Sequence, residues 1–271
     1  MKKLYEKSEI LFAVFWIVVY TVSMGNLRNL GDDSPYMMLG LIVISALMLL
    51  FVWKNGLTQK YGLAAWAKNN RAMLWFIPLW VIASCNLWGG IDPHYALPGQ
   101  IFAVISMALV GFAEELIFRG FLFKAMLKDG SVKTAVIVSS VTFGIGHILN
   151  LFTGHALAET LVQVIFAVAF GFMVTLAFYK GGSLLPCILA HSLTDVFFHL
   201  CGGECVCNAE LDQPWRDDRD NGCLLPVSGQ ARGNAAERRG GNGEALNGAK
   251  KRKFDDEFIR KFLFSYCSLI K

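Results

Sequence analysis

The sequence of 271 residues contains three groups of ionisable side chains, each set inside a long apolar stretch. Their members are Glu114, Glu115, Arg119, His147, His191 and Asp195. A carboxylate and an imidazole that lie together can activate a water molecule by general-base catalysis. A second imidazole can donate a hydrogen bond to a developing oxyanion, which is usually the largest catalytic contribution. These residue types therefore indicate hydrolysis by an activated water, provided that the fold brings them together.

Helical spacing assigns partners within the first group. Glu115 and Arg119 are four positions apart, so they share a helical face and we predict an ion pair between them. Glu114 is rotated by about 100° from Glu115 and is not the natural partner of Arg119. The spacing thus predicts that Glu115 and Arg119 support the site, while Glu114 faces a reaction centre.

The other two groups show similar spacings. His191 and Asp195 are also four positions apart on one helical face. Asn150 follows His147 by three positions, so we expect its amide to orient the imidazole. Cys85 and Cys187 have no neighbouring base in the sequence, and this favours activated water over a covalent acyl-enzyme.

The same residues are also compatible with a metal-dependent site. Four of the side chains have the types and the number of ligands found in tetrahedral Zn²⁺ sites. These four are Glu114, His147, His191 and Asp195. Their spacing alone does not separate a zinc site from a metal-free one.

The stretches that carry these groups are too apolar for a soluble domain. The chain is 55% apolar and 17% charged, with a mean hydropathy of +0.46, whereas soluble domains are about 45–50% apolar and about 25% charged. We therefore predict an all-α fold, a polytopic membrane helical bundle of about seven transmembrane helices. The predicted spans are 10–26, 36–53, 72–90, 101–127, 134–150, 158–179 and 183–200.

Three different spans present acid–base groups at similar depths. With a rise of about 1.5 Å per residue, Glu114 lies about 20 Å from either end of its span. His147 and His191 lie about 20 Å and about 12–14 Å from the cytoplasmic ends of theirs. An unpaired charge in hydrocarbon costs several kcal/mol, so we expect the three groups to converge in one polar cavity.

Basic residues predict the orientation of the chain. Lys and Arg concentrate in alternate connections, which favours an N-terminus in the cytoplasm and a first span that is an uncleaved signal-anchor helix. The residues assigned to the cytoplasmic side are Lys2, Lys3, Lys7, Lys54, Lys60, Lys68, Arg71, Lys124, Lys128, Lys133 and Lys180. The net charge of +4 is too small and too dispersed to indicate nucleic-acid binding.

The sequence changes character near residue 200. Residues 201–271 hold 12 of the 25 Lys and Arg residues, 11 of the 21 Asp and Glu residues and five of the seven cysteines. We predict a membrane-embedded body over 1–200 and a polar, disordered C-terminal tail over 201–271. We interpret this tail as a non-homologous or out-of-frame ending.

The three groups together resemble the motifs of a known family. EELIFRGFL at 114–122, FGIGH at 143–147 and HSLTD at 191–195 are similar to the three ordered motifs of the CPBP family. This family, also called Abi, contains the CAAX-type and bacteriocin-processing intramembrane proteases. The resemblance covers about 100–200, a protease-like core, and Asp195 departs from the Asn form of the third motif.

The resemblance implies an intramembrane endopeptidase that acts on membrane-associated peptides or proteins. By position, Glu114 would activate water with help from His147, Glu115 and Arg119 would support it, and His191 would lie on the oxyanion side. An ionised Asp195 cannot donate to an oxyanion, so it is protonated, orients His191 or favours a metal. The implied partners are the lipid bilayer and a peptide or protein substrate, and the implied location is a bacterial cytoplasmic membrane.

Two other classes of function fit the same residues. One is a non-catalytic membrane binding protein or bacteriocin-immunity protein on the same scaffold. The other is a transporter or proton pathway, because chains of carboxylates and imidazoles also occur in transporters. Alanine variants of the three proposed catalytic residues separate these classes, since a binding protein would keep its function in all of them.

Overall fold

The computed structural model describes residues 1–66, 76–153 and 156–200, and every regular element within these ranges is helical. The predicted tail at 201–271 lies outside the described residues, as do Lys68 and Arg71. The helices are α1 (Lys2–Lys7), α2 (Glu9–Leu27), α3 (Pro35–Lys54), α4 (Ile77–Cys85), α5 (Gly99–Glu115), α6 (Lys124–Asp129), α7 (Val132–Gly146), α8 (Leu157–Gly181) and α9 (Leu185–Leu200). The all-α prediction is confirmed.

Within the described ranges, five helical stretches are long and apolar enough to cross a membrane. They are Glu9–Leu30, Pro35–Lys54, Gly99–Lys128, Val132–Leu151 and Thr160–Gly181. The other two predicted spans coincide with shorter apolar helices, Leu79–Trp88 and Leu185–Leu200. Over the described residues, these two helices are shorter than the roughly 20 residues that a perpendicular crossing needs. The membrane bundle is confirmed, but the number seven is not.

Helix α5 is the central element of the bundle. It continues without a break into a π-helical segment, Leu116–Phe123, and then into α6. Helix α5 packs against α9 and α3, and the π-helical segment packs against α2 and α7. Short π-helical segments within α-helices frequently occur at functional sites. Here the segment follows directly after the paired glutamates, and all of its residues are buried.

Local signals explain where several helices begin and end. The hydroxyl of Ser8 accepts a hydrogen bond from the Leu11 N–H at 3.2 Å, and that of Ser131 accepts one from the Thr134 N–H at 3.1 Å. Such N-caps satisfy backbone donors that the first helical turn leaves unpaired. Helix α8 ends at Gly181 and is capped by Gly182, whose φ of +69° lies in the left-handed region that favours glycine.

The outer faces of the long helices are apolar. Val18, Val43 and Ile165 are each more than half exposed, although valine and isoleucine are usually buried in soluble proteins. Polar side chains such as Glu115 and Arg119 are instead fully buried. This distribution, apolar outside and polar inside, suits contact with lipid.

Candidate active site

The predicted ion pair between Glu115 and Arg119 lies at the centre of the bundle. Arg119 Nη1 is 3.0 Å from Glu115 Oε1, and both side chains are fully buried. None of the guanidinium nitrogens makes a well-aligned hydrogen bond to a described residue, so the contact is an ion pair by distance. The guanidinium also lies over the Phe143 ring, with Cζ 4.3 Å from its centroid. The arginine charge is thus balanced by one carboxylate and one aromatic face.

His191 joins this pair to Glu114. Its Nδ1–H donates to Glu115 Oε1 at 2.8 Å. Its Nε2 lies 3.7 Å from Glu114 Oε2 and 3.7 Å from Asp195 Oδ2. A separation of 3.7 Å is too long for a direct hydrogen bond and suits a position shared with a water molecule. Glu115, not Asp195, therefore makes the short contact that orients the His191 ring.

A close approach of α5 and α9 makes this contact possible. A Cβ added at Gly111 would lie 2.6 Å from the backbone nitrogen of Ser192, so only glycine fits here without a shift. The Ser192 hydroxyl donates to the Ala108 carbonyl at 2.8 Å, which joins the same two helices. Small residues allow membrane helices to approach closely, and this approach carries the His191 ring to Glu115.

His147 also contacts the Phe143 ring. It follows the end of α7, and its Nδ1–H donates to the Phe143 carbonyl at 3.3 Å. The Phe143 ring contacts both imidazoles edge to face, with centroid distances of 5.3 Å to His147 and 5.7 Å to His191. His147 also interacts electrostatically with Glu114 and His191. Because a backbone carbonyl only accepts hydrogen bonds, Nε2 is the His147 atom left for acid–base chemistry.

Asn150 belongs to a second polar network at one edge of the site. Its Oδ1 accepts a hydrogen bond from Arg28 Nη1 at 3.1 Å, and its Nδ2 donates to Gln163 Oε1 at 2.6 Å. The Phe143 carbonyl, rather than the Asn150 amide, fixes the His147 ring at Nδ1. Asn150 thus ties the residue that directly follows α2 to the segment that follows α7.

Tyr20 in α2 and Arg28, which directly follows α2, were not found by sequence reasoning. Tyr20 is buried, and its hydroxyl donates to Glu114 Oε1 at 3.0 Å. Arg28 contacts Asn150 and interacts electrostatically with His147 and Asp195. The sequence does place Tyr20 in the middle of an apolar span, where its hydroxyl needs a hydrogen-bond partner, and this could have indicated a role in the site.

An acid–imidazole contact also closes the end of α9. His199 Nε2 lies 3.2 Å from Asp32 Oδ2, in the connection between α2 and α3. Burial alone would raise the pKa of the Asp32 carboxyl. The hydrogen bond and charge of His199, together with the charge of Arg28, nevertheless hold this pKa below its usual value. The contact fixes the end of α9 that lies one turn beyond Asp195.

The four side chains predicted as zinc ligands are not arranged as a metal-binding set. Among the described residues, no group of three or more His, Cys, Asp or Glu side chains is placed to hold a metal ion. Glu114 Oε1 is engaged by Tyr20, and His191 Nδ1 is engaged by Glu115. These two contacts engage atoms that a zinc site would use, and the metal dependence of the site stays a prediction.

Comparison with known proteins places this site in a family. Residues 97–197 match the family model described as type II CAAX prenyl endopeptidase Rce1-like. This segment of the chain is therefore similar to that family. No curated protein and no solved structure gives a significant match to the chain.

The Rce1-like segment contains every ionisable residue of the predicted site. It runs from the connection before α5 into α9, and the predicted resemblance to the CAAX-type proteases is confirmed. The matched family is one of membrane proteases, which agrees with the apolar helices that surround the segment. Helices α1 to α4 lie outside the matched residues.

Proposed function

We propose that the chain is an intramembrane endopeptidase that hydrolyses peptide bonds of membrane-associated peptides or proteins with a water activated by Glu114 and His147. The observation that carries this proposal is the position of His191 Nε2, which lies 3.7 Å from both Glu114 Oε2 and Asp195 Oδ2. This gap between acid–base atoms is a suitable position for a water or for the oxygen of a scissile carbonyl.

Each residue then has a distinct task in the proposed reaction. Glu114 takes a proton from the water as the water attacks the carbonyl carbon, and His147 assists through Nε2. His191 Nε2, when protonated, donates to the oxyanion that develops on the carbonyl oxygen. The proton held at the site passes to the leaving amine when the carbon–nitrogen bond breaks.

Glu115 and Arg119 act through His191. The Nδ1–H of His191 is held by Glu115 at 2.8 Å, so the ring presents Nε2 toward the reacting atoms. Arg119 neutralises part of the Glu115 charge and keeps the carboxylate within hydrogen-bonding reach. An oriented imidazole loses less freedom on reaching the transition state than a rotating one.

A zinc-dependent form of the reaction is a separate proposal. It requires that Glu114, His147, His191 and Asp195 turn toward one point, away from Tyr20 and Glu115. Zinc analysis of the purified protein, with and without a chelator, tests this form. No step of the proposed mechanism depends on the metal.

The environment of the site supports an integral membrane location. The basic residues favour an N-terminus in the cytoplasm, and we propose a bacterial cytoplasmic membrane. Labelling of an introduced cysteine with a membrane-impermeant thiol reagent tests this orientation. A cysteine introduced at Lys3 should react only from the cytoplasmic side of sealed vesicles.

Cleavage of membrane-tethered peptides by the purified protein tests the proposed function. We expect the wild-type protein to cleave, and the variants Glu114→Ala, His147→Ala and His191→Ala to be inactive while keeping the helical fold. Ion or proton flux without cleavage would favour a transporter. Retention of a binding phenotype in all three variants, without cleavage by the wild type, would favour a binding or immunity protein.

A further inference from the structure

Helix α2 lies outside the Rce1-like segment but contacts the proposed base. The Tyr20 hydroxyl donates to Glu114 Oε1 at 3.0 Å, and the tyrosine side chain is 5% exposed. We propose that Tyr20 is a positioning residue that holds Glu114 so that its second oxygen, Oε2, faces His191 Nε2. This inference rests on the proposed function, because it assigns Tyr20 a task in the same reaction.

The two carboxylate oxygens of Glu114 have different surroundings. Oε1 is engaged by Tyr20, whereas Oε2 lies 3.7 Å from His191 Nε2. The last torsion of a glutamate side chain has a broad, roughly two-fold energy profile, so without a partner the carboxylate turns easily. A hydrogen bond to one oxygen removes this freedom and leaves the other oxygen directed at the gap where the water is proposed to bind.

The packing of α2 against the π-helical segment that continues α5 places the tyrosine at this level. The Phe12 ring contacts the Phe121 ring, with a centroid distance of 5.1 Å. Tyr20 follows Phe12 by eight positions, about 12 Å along α2, while Glu114 precedes Phe121 by seven positions, about 10 Å along its own helix. The two helices thus run antiparallel, and their register brings the hydroxyl to the carboxylate.

Contacts at both ends hold α2 in this register. At its start, Glu9 contacts Lys60 and lies 3.4 Å from Lys128, which follows the π-helical segment. At its end, Arg28 Nη1 donates to Asn150 at 3.1 Å. A helix fixed at both ends keeps a side chain near its middle in place, as a positioning role requires.

The rest of the same helical face does not share this role. Trp16 lies one turn before Tyr20 and is also buried, yet its indole nitrogen has no hydrogen-bond partner among the described residues. The face of α2 is therefore shaped by apolar packing, and the polar contact occurs at the level of Glu114. A phenylalanine at position 20 keeps the ring and removes only the hydroxyl.

The test compares Tyr20→Phe with Tyr61→Phe in the full-length protein. Tyr61 is buried, its ring centroid lies 5.2 Å from that of Phe121, and its hydroxyl is hydrogen-bonded with Tyr5 rather than with a residue of the proposed site. For Tyr20→Phe we expect kcat for cleavage of a membrane-tethered peptide to fall by about 10- to 100-fold, with KM changed less than about twofold. For Tyr61→Phe we expect kcat to match that of the wild type.

A second measurement does not depend on activity. Melting temperatures of Tyr20→Phe, Glu114→Gln and the double variant form a double-mutant cycle, and we expect the combined loss to differ from the sum of the single losses. Additive losses, or an unchanged kcat in Tyr20→Phe while the wild type cleaves, would overturn this inference and leave the proposed function intact. No cleavage by the wild type would overturn the proposed function and this inference with it.

Discussion

His191 Nδ1 donates a 2.8 Å hydrogen bond to Glu115 Oε1, which joins two residues that are 76 positions apart in the chain. The same oxygen of Glu115 is 3.0 Å from Arg119 Nη1. One buried carboxylate thus connects a fixed charge on the π-helical segment to the imidazole that faces Glu114. Because of this connection, the proposed site depends on Glu115 as much as on Glu114, although Glu115 does not contact the substrate in the proposed reaction.

Substitutions of Glu115 and of Arg119 should have strongly non-additive effects on the free energy of unfolding. Removing one partner of a buried ion pair leaves an uncompensated charge, which costs about 3–5 kcal/mol. We therefore expect Glu115→Leu and Arg119→Met each to lower the free energy of unfolding by about this amount. The double variant should lose much less than the sum, but it should still be inactive because His191 lacks its acceptor. Additive losses in thermal unfolding would contradict a direct pair.

Replacement of Gly111 tests the close approach of α5 and α9. In Gly111→Ala the new Cβ would meet the Ser192 backbone at 2.6 Å, so the helices must separate. Overpacking of this kind costs about 1–3 kcal/mol, and we expect most of the cleavage activity to disappear. Gly25→Ala is the control, because a Cβ at Gly25 meets nothing within 4 Å. Equal effects of the two substitutions on cleavage activity would show that activity does not depend on the close packing of α5 against α9.

Asp195 stands where the third motif of the CPBP family has Asn, so the substitution Asp195→Asn tests whether a carboxylate is needed there. An amide can donate a hydrogen bond to an oxyanion, whereas an ionised carboxylate cannot. We expect Asp195→Asn to keep cleavage activity, because Glu115 rather than Asp195 holds the His191 ring. Asp195→Ala should lower kcat by about tenfold or more through the loss of that polar group. Loss of all activity in Asp195→Asn, measured as initial cleavage rates, would show that a carboxylate is required.

The contact between Asp32 and His199 should appear in the pH dependence of stability. The pKa of Asp32 is lower in the folded state than the value of about 3.9 expected for an unfolded chain. Its contribution is therefore fully present above the unfolded-state pKa and is lost as the pH falls through the folded-state pKa. We expect Asp32→Asn to lower the melting temperature at neutral pH, and this difference to shrink as the pH falls below about 4 and to vanish below the folded-state pKa of Asp32. Asp33→Asn, at an exposed neighbouring position, is the control and should show no such convergence.

Much of the site was predictable because helical spacing is a local property. The separation of Glu115 and Arg119 by four positions gave their ion pair directly, and the structure contains it. The convergence of Glu114 and His191 followed from the cost of isolated charges in hydrocarbon, and their facing atoms lie 3.7 Å apart.

Other parts of the site depend on relations that a single sequence does not contain. Tyr20 reaches Glu114 through the register of α2 against the π-helical segment, which is set by the contact between Phe12 and the distant Phe121. The spacing of His147 and Asn150 predicted a local contact, but the backbone of Phe143 fixes the His147 ring and Asn150 binds Arg28. The number of spans stays a prediction, because five of the seven predicted spans coincide with long apolar helices among the described residues and two coincide with shorter ones.

The most direct test of the account is the cleavage rate of Glu114→Gln. The substitution keeps the size of the side chain and removes its basicity, so we expect kcat for a membrane-tethered peptide to fall by about 10²–10⁴-fold. Glu6→Gln, at an exposed position of α1, is the control and should cleave like the wild type. Cleavage by Glu114→Gln at the wild-type rate would contradict the claim that Glu114 activates the attacking water.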